Sequence, residues 1–189
     1  MVGLGEEPLG FRLEVLDMGG GTTSVAVFAS GHLVHTDAVA VGGHHVTMDI
    51  ARGLTTRVSA AERLKTLYGA AISSPSDERD MVAVPQVEDD DEREVAHHIP
   101  KAQLVRIIRP RIEEILELMR DRLKNAGFAA QAGRRVVLTG GASQLVGLPE
   151  VARRILQGQV RIGRPLGIKG LPEAARGPSF SAAPLLGHP

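Results

Sequence analysis

Residues 13–16, Leu-Glu-Val-Leu, form a short and largely apolar run that ends in Asp17 and the triple glycine Gly19, Gly20 and Gly21. That order predicts a strand closing in a tight turn. Residues 22–28 are rich in β-branched side chains and alternate in part, which predicts a second strand; Ser30 and Gly31 supply turn chemistry, and residues 33–41 predict a third. The opening of the chain is therefore expected to be a three-stranded meander. After Gly42 and Gly43 the pattern changes period. Val46, Ile50 and Leu54 recur four apart, which places residues 44–54 on a helix with one apolar face. A second helix is expected from Ser59, read as an N-cap with Glu62 completing a capping box, to Gly69.

Residues 72–87 are irregular and strand-like, and the acidic run 88–92 reads as a solvated turn. The longest amphipathic pattern covers residues 100–126: Leu104, Ile107 or Ile108, Ile112, Ile115 or Leu116, Met119 and Leu123 return at three- and four-residue steps. Pro110 removes a backbone donor inside this pattern, so a kink or break is expected after Arg109, with Gly127 as the stop. Val136, Val137 and Leu138 predict a buried-type strand that enters Thr139, Gly140, Gly141, Ala142 and Ser143. A helix over 148–156 with Pro149 in its first turn follows, and the Gly- and Pro-rich residues 160–189 read as short strands and loops.

Composition narrows the classes. The 189 residues carry 22 basic and 22 acidic side chains, so no bulk charge favours nucleic acid. Aromatic residues are 3% of the chain, which argues against a base-stacking surface. The lack of cysteine excludes disulfides and thiolate metal sites and makes a cytoplasmic location the default expectation. No apolar run is long enough to span a bilayer, and the first eight residues do not look like a signal peptide. The adjacent pairs His44, His45 and His97, His98 have no third ligand at sensible spacing.

Three features carry candidate chemistry. In Asp17-Met18-Gly19-Gly20-Gly21-Thr22-Thr23, glycines let backbone N–H groups approach phosphate oxygens, threonine hydroxyls add donors, and a carboxylate at the strand end can hold hydrated Mg²⁺; a plain hairpin turn is the other reading. The paired glycines after Leu138 allow a ribose or purine to lie against the backbone, or else satisfy a loop that needs positive φ. Glu62 and Lys65 share a helix face, either at a ligand or as a surface ion pair. Neither a dinucleotide fingerprint nor a Walker motif is present, and Ser143 is not in a nucleophile elbow.

In order, the glycine turn after Asp17, the segment Ala61-Glu62-Arg63-Leu64-Lys65 and the turn Leu138-Thr139-Gly140-Gly141-Ala142-Ser143 resemble the second half of the actin, chaperone and sugar-kinase ATPase superfamily. Within it the chain looks like the FtsA family of bacterial cell-division proteins. Residues 16–28 are similar to that family's second phosphate loop. Ile107-Ile108-Arg109-Pro110-Arg111, with the following Glu113-Glu114-Ile115-Leu116, is similar to a helix of its small subdomain. Residues 136–149 are similar to its adenosine loop.

The resemblance implies an α/β fold, the second half of the actin-like ATPase fold: a ribonuclease H-like mixed sheet with helices and an inserted small subdomain. Subdomain IIA would take residues 11–42 and 134–180, subdomain IIB residues 43–133, and residues 181–189 would be an irregular tail. It further implies ATP and Mg²⁺ as cofactors. Gly19, Gly20, Gly21, Thr22 and Thr23 would hold the β- and γ-phosphates, Asp17 the Mg²⁺ water shell, and Glu62 and Lys65 the ribose and purine opposite Gly140, Gly141 and Ala142.

The implied partners are the C-terminal tail of the tubulin-like protein FtsZ and further copies in actin-like protofilaments, at the division septum on the inner face of the membrane. The basic residues Lys101, Arg106, Arg109 and Arg111 are the candidate receivers of an acidic peptide, or a solvated face balanced by Glu113, Glu114 and Glu117. No catalytic residue is assigned, because the family's first half has no counterpart in these residues. The isolated chain is expected to bind ATP weakly, to hydrolyse none and to make no direct membrane contact. A chaperone- or sugar-kinase-type half-domain and a non-functional truncated product are the alternatives.

Overall fold

The computed structural model describes residues 12–86, 96–128 and 134–163. The meander forms as the pattern predicts: β1 (Arg12–Met18), β2 (Thr23–Ala29) and β3 (His32–Val39) are consecutive antiparallel neighbours. To the other side of β1 come β6 (Arg135–Thr139) and β7 (Gln159–Ile162), both parallel, giving the order β3-β2-β1-β6-β7 in one five-stranded sheet. A separate antiparallel pair joins β4 (Met81–Pro85) to β5 (Ala96–Pro100). The acidic run 88–92 and the tail beyond 163 lie outside the described residues, as does most of the predicted boundary at 133.

Among the described residues four α-helices join the strands: α1 (Gly43–Gly53), α2 (Val58–Tyr68), α3 (Lys101–Asn125) and α4 (Leu148–Leu156). The α3 stripe read from the sequence is the spine of the core, with Leu104, Ile108, Ile112, Ile115, Leu116, Met119 and Leu123 all fully buried and Ile107 only partly so. It packs against α1 and α4 and against β3. Leu16, Met18, Val25 and Val27 from β1 and β2, with Val136 and Leu138 from β6, supply the sheet's share of the same core.

Three local expectations need correction. Of the kink or break expected after Arg109, the break does not occur: α3 runs through Pro110. Pro110 is on the exposed side, so the Arg106 carbonyl that loses its partner there is on a solvent-facing residue. Ser59 is not an N-cap: α2 starts at Val58 with Arg57 as cap and no side-chain capping bond. The Glu62 carboxylate has stronger partners elsewhere, described below. Strand β5 was not expected at all, since Ala-His-His-Ile-Pro has little β character of its own and relies on its pairing with β4.

The turn at residues 74–80 caps α3. Asp77 and Asp80 carbonyls accept the N–H groups of Ala102 and Lys101, at 2.9 and 2.8 Å. The buried Asp77 carboxylate accepts the Ser74 N–H at 2.7 Å and pairs with Lys101 at 3.2 Å. The Ser74 bond holds this carboxyl below its ordinary value, against the effect of burial and with help from Lys101. A lowered folded-state pKa gives stability that is present at neutral pH and lost as acid titrates through it. Asp77→Ala is expected to destabilise the chain by about 1–3 kcal/mol at pH 7. The deficit should shrink in acid, as read by urea unfolding at both pH values.

Candidate functional site

Strands β1 and β6 are neighbours and parallel, with Asp17 opposite Thr139, so their C-terminal ends emerge together. The two glycine bends start from those ends. In α/β sheets the carboxyl edge of adjacent strands is where ligands collect.

The first bend is closed by the Gly19 N–H on the Thr22 carbonyl at 2.9 Å. Helix α1 then docks its N-terminus onto the bend: Gly43 N–H donates to Gly19 O at 2.9 Å and His44 N–H to Gly20 O at 2.7 Å. Two of the helix's orphan donors are thereby satisfied by loop carbonyls. Gly42 has to be glycine here, since a Cβ would fall 2.6 Å from Gly19 O and 2.7 Å from Gly20 O. Among the described residues, no acceptor takes the N–H of Gly20 or Gly21. The bend thus presents two unpaired N–H donors side by side.

The second bend turns on Gly140, whose φ is 86° and whose Cβ would lie 2.3 Å from Asp17 Oδ1 and 2.5 Å from Met18 O. Ser143 closes this bend, with Oγ donating to Gly140 O at 2.7 Å. Gly141 and Ala142 continue into a short 3-10 helix over Gly141–Gln144. The third wall is α2. A parallel bridge pairs Ala70 with Val146, and the Ala71 N–H donates to Val146 O at 2.8 Å, fastening the exit of α2 to the loop before α4.

These walls enclose a hollow of about 430 Å³, lined by Gly19, Gly20, Gly43, Glu62, Lys65, Gly141 and Ala142, with Leu67, Leu145 and Val146 on one rim. That is the size range of small-ligand sites. Six of the sequence-derived site residues are thus brought together. Gly43, Leu67, Leu145 and Val146 were not among them. The double glycine at 42–43 is the one signal in the sequence, where it reads as the entry to subdomain IIB or as the break before a helix.

Other candidates sit elsewhere. Thr23 is fully buried and its hydroxyl donates to Val41 O at 2.8 Å, so it braces the end of β3 instead of facing the hollow. Gly21 and Thr22 are exposed on the first bend but outside the lining. Gly140 supports the lining from behind. Asp17 is half-buried beside Gly140; burial pushes its carboxyl up, and among the described residues nothing donates a hydrogen bond to it.

Glu62 and Lys65 form a 2.8 Å ion pair at the hollow. Partial burial pushes the Glu62 carboxyl up, but hydrogen bonds from Lys65 and Thr47, with the charges of Lys65 and His44, together hold it below its ordinary value. Glu62 is therefore a carboxylate at neutral pH.

The basic cluster is internally matched. Lys101 pairs with Asp77, Arg106 with Glu78 at 2.7 Å, Arg109 with Glu113 at 2.8 Å, and Arg111 with Asp49 at 2.6 Å and with Glu114. Among the described residues no group of three His, Cys, Asp or Glu is placed to hold a metal ion. No described helix is long and apolar enough to cross a membrane.

Solved structures share this fold. MreB5 of Spiroplasma citri bound to ADP superposes with a TM-score of 0.64 at 21% identity, over 82% of this chain and 49% of that one. A type IV pilus biogenesis complex, PilM–PilN, gives 0.65 at 20% identity, over 93% and 44%. The fold is one half of the actin-like ATPase architecture.

Sequence carries the assignment further. The profile of cell division protein FtsA matches residues 15–184. The FtsA of Rhizobium meliloti is 61% identical over 168 residues, 89% of this chain and 38% of that protein; FtsA of Escherichia coli K12 is 37% identical over 181 residues, 92% and 42%. The chain belongs to the FtsA family of cell division proteins, and spans about two fifths of the length of these relatives.

Proposed function

We propose that this segment is the nucleotide-gripping wall of an actin-like cell division protein, with ATP as the ligand. The observation that supports it most is the convergence of both glycine bends and the Glu62–Lys65 face on one hollow at the carboxyl ends of two adjacent parallel strands. The first bend, with the free N–H of Gly20 and Gly21 and the Thr22 hydroxyl beside them, takes the phosphates. Gly141 and Ala142 lie against the nucleoside, and Glu62 faces it from α2. Asp17 suits the water shell of Mg²⁺: it is a half-buried carboxylate with no donor of its own among the described residues, and a hydrated cation would offset the burial that raises its pKa. Mg²⁺ bound there would neutralise phosphate charge.

In the complete protein, membership of the FtsA family supports a wider reading. ATP-dependent polymerisation into actin-like protofilaments would anchor the FtsZ ring at the septum, on the inner face of the membrane. Arg106, Arg109 and Arg111 remain the proposed receivers of the acidic FtsZ tail. To take it, they must exchange the internal carboxylates they now hold for those of the peptide.

The test is Gly20→Val. A Cβ at Gly20 meets nothing within 4 Å, so the variant should fold and melt as the parent does. Its side chain intrudes where backbone donors must approach phosphate, and ATP affinity should fall by at least about tenfold. Titration of ATP into the labelled chain, followed by amide NMR shifts, reads even weak binding. Unchanged affinity in a folded variant removes the phosphate-wall reading.

A further inference from the structure

Behind the Glu62–Lys65 pair sits Thr47 of α1, fully buried and absent from the hollow's lining. Its hydroxyl oxygen lies 2.5 Å from Glu62 Oε2, 3.2 Å from Gly43 O and 2.9 Å from Lys65 Nζ. Lys65 Nζ also reaches Gly43 O at 3.1 Å and Glu62 Oε2 at 2.8 Å.

A count of protons resolves the network. An ammonium has three N–H donors, and the three acceptors around Lys65 use all of them. A threonine hydroxyl has one proton, which goes to the nearer and charged acceptor, Glu62 Oε2, while its lone pair receives Lys65. Gly43 O is then satisfied by Lys65. Nothing on Lys65 is left to donate to a ligand. On Glu62, Oε2 is held by two donors and Oε1 by none, and the side chain is 52% exposed.

We propose that Thr47 is the positioning residue of this wall: it and Lys65 clamp Glu62 Oε2, so that Oε1 is offered to the hollow as a fixed, ionised hydrogen-bond acceptor. Lys65 acts through the same clamp and does not touch the ligand. The chemistry this selects is a ligand with hydroxyl donors on its sugar side, and the inference rests on the nucleotide reading above for the identity of that ligand. The clamp also joins the two ends of the site. Gly43 accepts Lys65 through its carbonyl and donates its N–H to the first glycine bend, so the acceptor and the phosphate donors are held in one register.

The test uses the labelled chain and three variants, with two NMR readouts: the titration midpoint of the Glu62 side-chain carboxyl, and the relative affinity for ATP against 2′,3′-dideoxy-ATP. Thr47→Val keeps the shape and removes the hydroxyl; it should raise the Glu62 midpoint and shrink the preference for ATP from roughly tenfold to under about twofold. Thr47→Ser should restore both. Glu62→Gln should lose the preference without depending on Thr47, and serves if Thr47→Val does not fold. An unmoved Glu62 midpoint in folded Thr47→Val overturns the clamp, as does a preference that survives there or in Glu62→Gln. If the parent chain shows no ATP-dependent shifts, the nucleotide reading fails while the Glu62 midpoint still decides what Thr47 does.

Discussion

Glu14→Leu is expected to destabilise the chain by about 3–5 kcal/mol, the usual cost of leaving a buried charge without its partner. Glu14 is fully buried in the central strand β1, and Arg134, itself buried just ahead of β6, meets it with Nε and Nη2. The same guanidinium donates to Leu156 O at 2.7 Å, and Arg12 donates both to Glu14 and to Phe128 O. The ion pair therefore ties β1, β6 and the end of α4 across the sheet. Removing Glu14 leaves a guanidinium in the interior with one remaining protein acceptor. Circular-dichroism unfolding in urea measures the loss. Adding Arg134→Met to Glu14→Leu should recover part of it, since the buried Arg134 charge is gone while Arg12, 11% exposed, keeps only Phe128 O. A single variant within about 1 kcal/mol of the parent would show that water or local relaxation reaches the pair.

Gly140→Val should be comparably severe, at about 3 kcal/mol or more. Left-handed φ costs an L-residue about 1–2 kcal/mol before any contact is counted, and the added carbon also meets Met18 O, a main-chain atom that cannot swing away. Gly141→Val is the internal control. A Cβ at Gly141 meets nothing within 4 Å, so the fold should lose less than about 1 kcal/mol, while the new side chain enters the hollow. Thermal melts of the two variants separate the glycine that builds the site from the one that opens onto it. Equal melts would show that the second bend is not held against β1.

Much of this was legible in the sequence because it is local. The apolar run of β1, the partly alternating β-branched run of β2, the four-residue steps of α1, the three- and four-residue steps of α3, and Pro149 at the start of α4 each state their own structure within a dozen residues. What was not legible depends on partners far along the chain. Glu14 and Arg134 are 120 residues apart, and nothing near either one announces the pair. Strand β5 exists by virtue of β4. Thr23 and Gly140 were grouped with ligand contacts because glycine and threonine in a turn look alike whether they face a ligand or hold up the bend. Long-range contacts tell them apart: Thr23 is buried with its hydroxyl on Val41 O, and Gly140 is pressed against Asp17 and Met18 of β1. Ser59 followed by Glu62 had the letters of a capping box, but a carboxylate goes to the strongest donors within reach, and those were Thr47 and Lys65.

The latch between Ala71 and Val146 is made from peptide groups alone. The side chains of Leu67 and Val146, the apolar residues on either jaw, belong to residues 61% and 65% exposed and take no part in it. The gap between the jaws is thus set by backbone geometry, and swapping those two side chains alters what the mouth prefers to hold without altering how wide it stands. Such a rim can be retuned for a different ligand one residue at a time, with the gauge of the opening left untouched.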